Sequence, residues 1–179
     1  MEQKKSILLE VQIIKILISL LLIGIGVPLL LGILSGKSFA SVLSFIGSTA
    51  ALQALAAPVG VILDFDPWLV LAIMTAFAFG ICLGIWEALQ TFALTSDRVA
   101  GWISRVEEKM QEHQSLHRYG PVSCILIAWI PGIGLYGTPA IAWILRWKRL
   151  PSVLFTVIGF FLASLLMIVL AEGASSILH

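Results

Sequence analysis

The sequence has little charge and few residues suited to catalysis or metal binding. Asp, Glu, Lys and Arg make up 12% of the 179 residues, whereas soluble domains carry about 25%. The two cysteines, Cys82 and Cys124, lie far apart inside apolar segments without metal-ligand spacing, so we read both as small buried hydrophobes. His113 and His117 are four residues apart, but no carboxylate completes a metal motif. We therefore expect no metal site and no cofactor.

Known catalytic motifs are missing as well. The chain has no Ser–His–Asp set, no His-Glu-x-x-His motif and no cluster of acidic metal ligands. We therefore expect that the protein is not an enzyme. The formal net charge of only +1 also argues against a nucleic-acid-binding protein.

Apolar residues are abundant instead. They form 59% of the chain, and the mean hydropathy of +1.03 predicts an all-α, multi-pass protein of the cell membrane. The run Val11–Leu34 is long enough to span, and Gly24, Gly26 and Pro28 can bend it. Because this run exceeds the apolar core of a signal peptide, we read residues 1–36 as an N-terminal transmembrane helix.

The clearest span is Trp68–Leu94. Pro67 suits the first turn of this helix, and Asp66 suits its N-cap. Trp68 and Trp86 are about 27 Å apart along a helix, which is close to the hydrocarbon thickness and predicts that both indoles mark membrane interfaces. Small residues recur at every fourth position and predict a helix-packing face: Ala72, Ala76, Gly80 and Gly84.

Two further apolar segments are interrupted near their centres. The first has Gln53 in its middle and Pro58 beyond it, and the second contains Pro131, Gly132, Gly134, Gly137 and Pro139. Broken backbone at membrane depth is tolerated only where protein or water pairs its polar groups. We therefore interpret the segments as re-entrant hairpins over 38–66 and 119–150, each followed by a transmembrane helix. A kinked helix buried in a bundle is the alternative.

Charge supports one topology. Residues 95–118 hold much of the charge and predict an amphipathic cytoplasmic connector on the membrane surface. If both interrupted segments re-enter, the basic residues of this connector lie on the same side as Lys4 and Lys5, and Lys37 lies outside. The positive-inside rule then makes the N-terminus cytoplasmic. We expect a single membrane domain over 1–179 in which two repeats, 37–94 and 119–179, are inverted copies.

One stretch resembles a known family. "RYGPVSCILIAWIPGIGLYGTPAIAWIL", followed by a helix ending "LAEG", is similar to the second half of small multidrug export proteins, which are grouped in the wider DedA superfamily. Tyr119-Gly120, Pro131-Gly132, Gly134 and Gly137 fit the family pattern, and the resemblance covers Arg118 to Gly173.

The first half departs further from the family pattern. The family pattern there has a Pro-x-Gly and an Asn-Pro or Asp-Pro pair, and this chain keeps both as Pro58, Gly60, Asp66 and Pro67. Where the family tends to carry a Glu and an Arg, this chain has residues 52–55 (Leu-Gln-Ala-Leu). A Thr found in the family's second turn is Ile133 here. The resemblance implies two re-entrant hairpins that meet at mid-membrane, together with a link to lipid-carrier transport and proton-motive-force homeostasis.

We expect a small transporter or flippase-like protein of DedA-like type. It would move a lipid-linked or small amphipathic substrate, coupled to protons or cations, and would form a homodimer within membrane lipids. The alternative is a non-transporting membrane scaffold or assembly protein that uses the Gly/Ala face. Candidate residues of the substrate or coupling-ion pathway are Gln53, Pro58, Glu87, Pro131, Gly132, Gly134, Gly137 and Arg146.

Overall fold

The computed structural model describes residues 2–95, 114–130 and 132–177, and every regular element in these ranges is a helix. Side chains are described within 10–93, 120–130, 132–171 and at 173. Four helical stretches of the described chain are long and apolar enough to cross a membrane: Glu10–Leu34, Phe39–Ile62, Pro67–Ala93 and Arg149–Ala171. The chain is therefore a multi-pass, all-helical membrane protein, as its composition predicts.

The N-terminal span changes its helical type midway. Helix α1 (Glu2–Leu17) continues into a π-helical stretch (Ile18–Gly26) and then into α2 (Val27–Leu34). Pro28 lies in the first turn of α2 and has no N–H for the carbonyl of Gly24, four residues earlier. The expected irregularity is thus present, and it takes the form of a wider helical turn.

The first interrupted segment consists of three short pieces. Helix α3 (Phe39–Leu52) is followed by a 3₁₀ turn (Gln53–Ala56) and by α4 (Ala57–Ile62). The Ser38 hydroxyl caps α3 by accepting a hydrogen bond from the Ser41 amide at 3.1 Å. The segment is therefore broken at Gln53.

The two ends of this segment lie side by side. The Lys37 ammonium donates a hydrogen bond to the Asp64 carbonyl and lies 3.8 Å from the Asp64 carboxylate. The same ammonium lies 5.4 Å from the centre of the Phe65 ring. The residues before α3 and after α4 are therefore in contact.

The central helix is α5 (Pro67–Thr95), which packs against the N-terminal span and the last two helices of the chain. Asp66 caps it, since its Oδ1 accepts hydrogen bonds from the Trp68 and Leu69 amides at 2.9 and 3.4 Å. Trp68 is 72% exposed at the start of α5. Trp86 is only 5% exposed and packs inside the protein, so its indole does not face lipid, whereas its position at the second membrane interface stays a prediction.

The second interrupted segment has the same plan. Helix α6 (Gln114–Ile127) contains Pro121, helix α7 (Gly134–Ile144) contains Pro139, and α8 (Arg149–Ile177) follows. The two ends of the segment again touch, because the backbone of Gly120 packs directly on the Trp147 indole, where no Cβ would fit.

The amphipathic connector over 95–118 falls mostly outside the described residues. Its last five residues, 114–118, belong to α6 and run without a break into Gly120. The helix that opens the second segment therefore begins earlier than residue 119.

Candidate functional site at the junction of the interrupted segments

The middles of the two interrupted segments are hydrogen-bonded to each other. Gln53 Oε1 accepts a hydrogen bond from the Leu135 amide at 3.3 Å. The Tyr136 hydroxyl donates to the Ala50 carbonyl. These bonds join the break in the first segment to the first turn of α7 in the second.

Local backbone geometry directs Gln53 into this junction. Its φ of 56° lies in the left-handed region, which is unusual for a residue with a side chain. The residue is 6% exposed, and a buried amide is costly unless it is hydrogen-bonded. The bond from Leu135 therefore stabilises an otherwise unfavourable residue.

Glycines close the turn of the second segment. Gly132 has a φ of 83°, which glycine adopts without steric cost. Gly134 packs on the carbonyl group of Ala128, where a Cβ would overlap backbone atoms, and Gly137 packs on the Ile133 side chain. Pro131, which the sequence also points to, lies outside the described residues.

The junction lies near the middle of α5. The Cys82 sulfur is 4.0 Å from the Leu135 carbonyl oxygen. At 1.5 Å per residue, Cys82 is about 22 Å from Pro67 and about 16 Å from Ala93, the two ends of the span. The broken backbone is therefore deep within the apolar part of the protein.

A small cavity of about 50 Å³ adjoins the junction. It lies between the two breaks and α8, and among the described residues that line it Gln53 alone has a side chain with an amide, hydroxyl or charge. This volume has room for water but is well below the roughly 300–1,000 Å³ of small-molecule sites. The junction is therefore closed to a substrate in this conformation.

An ion pair with a buried carboxylate lies nearby and joins α5 to α8. Arg149 at the start of α8 binds Glu87 Oε1 at 2.6 Å, and the side chains are 39% and 5% exposed respectively. Glu87 is about 8 Å further along the helix than Cys82. Three buried polar atoms around it have no hydrogen-bond partner within the described structure: Glu87 Oε2, Trp86 Nε1 and Trp147 Nε1.

The predicted pathway residues do not form one cluster. Gln53 meets the turn that contains Gly132, Gly134 and Gly137, whereas Glu87 binds Arg149. Pro58 is half-buried in the first turn of α4. Arg146 is exposed, has a φ of 56° and makes an interaction of its own just after α7.

Sequence reasoning missed Arg149, Leu135 and Tyr136 as members of the site. A signal for Arg149 was present, since a carboxylate inside a membrane protein usually pairs with a cation and three basic residues lie within 146–149. No signal was available for Leu135 or Tyr136, because the Leu135 backbone amide and the Tyr136 hydroxyl bond across more than 80 residues of sequence.

The small-residue face of α5 divides into two halves. Gly80 packs on the backbone of Gly24, and Gly84 packs on the Leu20 side chain, so this half meets the N-terminal span. The other half lines an open, almost wholly apolar groove of about 550 Å³. The residues that line this groove include Ala72, Ala76, Trp68, Phe79 and Phe161.

Comparison with known proteins finds a matching family. The family model described as "Putative small multi-drug export protein" matches residues 53–166, which include both breaks, α5 and most of α8. Searches of curated proteins and of solved structures found no match. Because the family model covers more than half of the 179 residues, the chain belongs to the small multi-drug export protein family.

Proposed function

We propose that this protein is a small membrane transporter, flippase-like and of DedA-like type, that exports a small amphipathic or lipid-linked substrate. The observation that carries the proposal is the hydrogen-bonded junction of two interrupted segments at the middle of α5. Paired interrupted segments are where membrane transporters place their central sites. Export is also what the family description states.

The contacts at the segment ends support re-entrant hairpins. Lys37 touches Asp64 at the Pro67 end of α5, which supports entry and exit of the first segment on one side. Gly120 touches Trp147 beside Trp86, which supports the same for the second segment at the opposite end of α5. The two halves are then inverted copies, and the positive-inside rule makes the N-terminus cytoplasmic.

Transport requires the two hairpin tips to separate. The cavity of about 50 Å³ beside Gln53 is too small for a substrate. In the described part of the two segments, two hydrogen bonds hold the tips together, and each contributes only about 1 kcal/mol net. A substrate that supplies its own partners for Gln53 and the Leu135 amide can therefore replace these bonds.

Glu87 is our candidate for coupling to protons or cations. Its carboxylate is buried and has one oxygen on Arg149 and one without a partner among the described residues. A proton or small cation at the free oxygen would weaken the attraction to Arg149 and loosen α5 from α8. Carboxylates inside membrane proteins frequently carry protons along the pathways of pumps and transporters.

The apolar groove supports an amphipathic substrate. Its volume of about 550 Å³ falls within the range of small-molecule sites, and Trp68, Phe79 and Phe161 offer aromatic surface. The groove is open to the lipid side of α5, so an apolar tail would reach it from the bilayer. We propose no catalytic step at either position.

Transport by proteoliposomes tests the proposal. Purified protein is reconstituted, and movement of ethidium and of a fluorescent short-chain phosphatidic acid is followed with and without an imposed pH gradient. Gln53→Leu should slow movement at least severalfold, whereas Gln12→Leu, the same change in the N-terminal span, should not. If the wild type moves neither probe, or if Gln53→Leu is as fast as the wild type, the proposal fails.

The scaffold alternative uses the small-residue face as an interface. Gly80 and Gly84 are already covered by the protein's own N-terminal span, which leaves only the Ala72 and Ala76 half open to a partner. The packing of this face therefore favours the transporter.

A further inference from the structure

The breaks of both interrupted segments reach one exposed apolar face of the protein. In the second break Trp129, Ile130 and Ile133 are 44%, 46% and 51% exposed, and beside the first break Leu52 and Leu55 are 48% and 44% exposed. Four of these five residues line the same small cavity, so they share one surface. We call these five residues the tip face.

The backbone of the tip face is incompletely paired. Within the described residues, the Gly132 and Ile133 amides donate no hydrogen bond, and the Trp129 carbonyl accepts none. Gly132 is exposed and has no neighbour where a side chain would be. Two donors and one acceptor are therefore open at the depth of the middle of α5.

Neither lipid nor water suits this surface. Hydrocarbon cannot pair with N–H or C=O groups, and irregular backbone does not occur facing lipid. Water could pair with them, but it would also have to cover five large apolar side chains at membrane depth. Protein is the covering that satisfies both the polar and the apolar atoms.

We propose that a second copy of this chain packs on the tip face around a twofold axis near Gly132. A twofold interface joins one patch to itself, so the patch must be self-complementary. The tip face meets this condition, because its unpaired donors at Gly132 and Ile133 lie three and four residues from its unpaired acceptor at Trp129. The amides of Gly132 and Ile133 in one chain then donate hydrogen bonds to the Trp129 carbonyl of the other. The Trp129 side chain is also an aromatic residue of the kind that is enriched at interfaces.

This interface completes the junction. The cavity beside Gln53 has Trp129 and Ile130 in its wall, so the second copy closes its outer side. The site at the tips is then formed by two chains. Association requires no transport and is tested separately from it.

Cysteine cross-linking in membranes tests the interface. In a background with Cys82→Ala and Cys124→Ala, single cysteines replace Leu52, Trp129, Ile130 or Ile133. Copper phenanthroline oxidises two facing thiols to a disulfide. Leu22→Cys is the matched control, since Leu22 is 64% exposed and lies near Gly24, which meets Gly80 close to the depth of Cys82.

At least one tip-face cysteine should give severalfold more covalent dimer than Leu22→Cys, also after dilution with excess lipid. The proposal is overturned if no tip-face cysteine gives more covalent dimer than Leu22→Cys. It is also overturned if a water-soluble maleimide labels the tip-face cysteines. If the cysteine-free background fails to insert, native mass spectrometry of the wild-type chain decides instead: a dimer supports the interface, and a monomer contradicts it.

Discussion

At the scale of single residues, the junction depends on positions where the backbone leaves little choice. Gly134 packs on the Ala128 carbonyl group, and the next residue, Leu135, donates its amide to Gln53. A methyl group at 134 overlaps backbone atoms rather than a flexible side chain. The tight turn and the hydrogen bond between segments are therefore coupled.

We expect Gly134→Ala to destabilise the protein by about 1–3 kcal/mol, as overpacking does. The matched control is Gly47→Ala in α3, which has open space around it and should be neutral or stabilising by up to about 1 kcal/mol. Denaturant unfolding in detergent, followed by the fluorescence of the six tryptophans, measures both. Equal stability of the two variants would contradict the packing of this turn.

The Glu87–Arg149 pair gives a second prediction at this scale. Glu87→Gln should cost about 1–3 kcal/mol of unfolding free energy, the usual range for hydrogen bonds to charged groups. The exposure of Arg149 (39%) keeps the loss below that of a fully buried pair. In a double-mutant cycle with Arg149→Gln, the two changes together should cost less than the sum of the single changes. Additive losses would mean that the two side chains do not interact.

At the scale of helices, a close backbone contact joins the N-terminal span to α5. Gly24 and Gly80 touch backbone to backbone, at the π-helical stretch. Such close approach stabilises helix pairs in membranes through van der Waals contact. The π-helical turn and the two glycines therefore both contribute to the close approach of these helices.

Gly80→Ala should separate these helices, because its methyl group would overlap the backbone of Ile23 and Gly24. We expect the N-terminal span to become more sensitive to protease and the unfolding free energy to fall by about 1–3 kcal/mol. Leu83→Ile, on the same helix, should cost less than about 1.5 kcal/mol. If both variants resist protease like the wild type, the contact is not as close as described.

Helices were predictable where the pattern was local. Apolar length and a capped proline predict α5 over 68–94, and the observed helix is Pro67–Thr95. The break near Gly132 also follows from local glycines and prolines. The π-helical form was not predictable, since it depends on packing against Gly80 as well as on Pro28.

At the scale of the whole molecule, the ends of the first interrupted segment define a topology that can be measured. Ser35 and Asp64 are both exposed beside Lys37, whereas Lys148 is exposed at the other end of α5. Labelling from the two sides of the membrane can therefore test whether the first segment re-enters.

Single cysteines at Ser35 and Asp64 should both react with an impermeant thiol reagent added outside intact cells, in a background without native cysteines. A cysteine at Lys148 should react only after the membrane is opened, because it lies on the cytoplasmic side in the proposed topology. Labelling of Ser35 and Asp64 from opposite sides would contradict a re-entrant first segment.

The residues that contact Gln53 and Glu87 in the folded protein could not be predicted from the sequence. Gln53 and Glu87 stand out because polar residues are rare in apolar segments, but their partners Leu135 and Arg149 are 82 and 62 positions away. Trp86 shows the same limit, since only neighbours distant in the sequence decide whether an indole faces lipid or the protein interior.

The long separation between Glu87 and Arg149 has a consequence for biosynthesis. At about 5–20 residues per second, Glu87 leaves the ribosome about 3–12 s before its partner. During that interval a carboxylate has entered the membrane with no cation to bind, and a chain that stops before α8 keeps it in this state permanently. The ion pair therefore forms only once synthesis has reached α8, and we expect chains that end before Arg149 to carry an unpaired acid in the membrane.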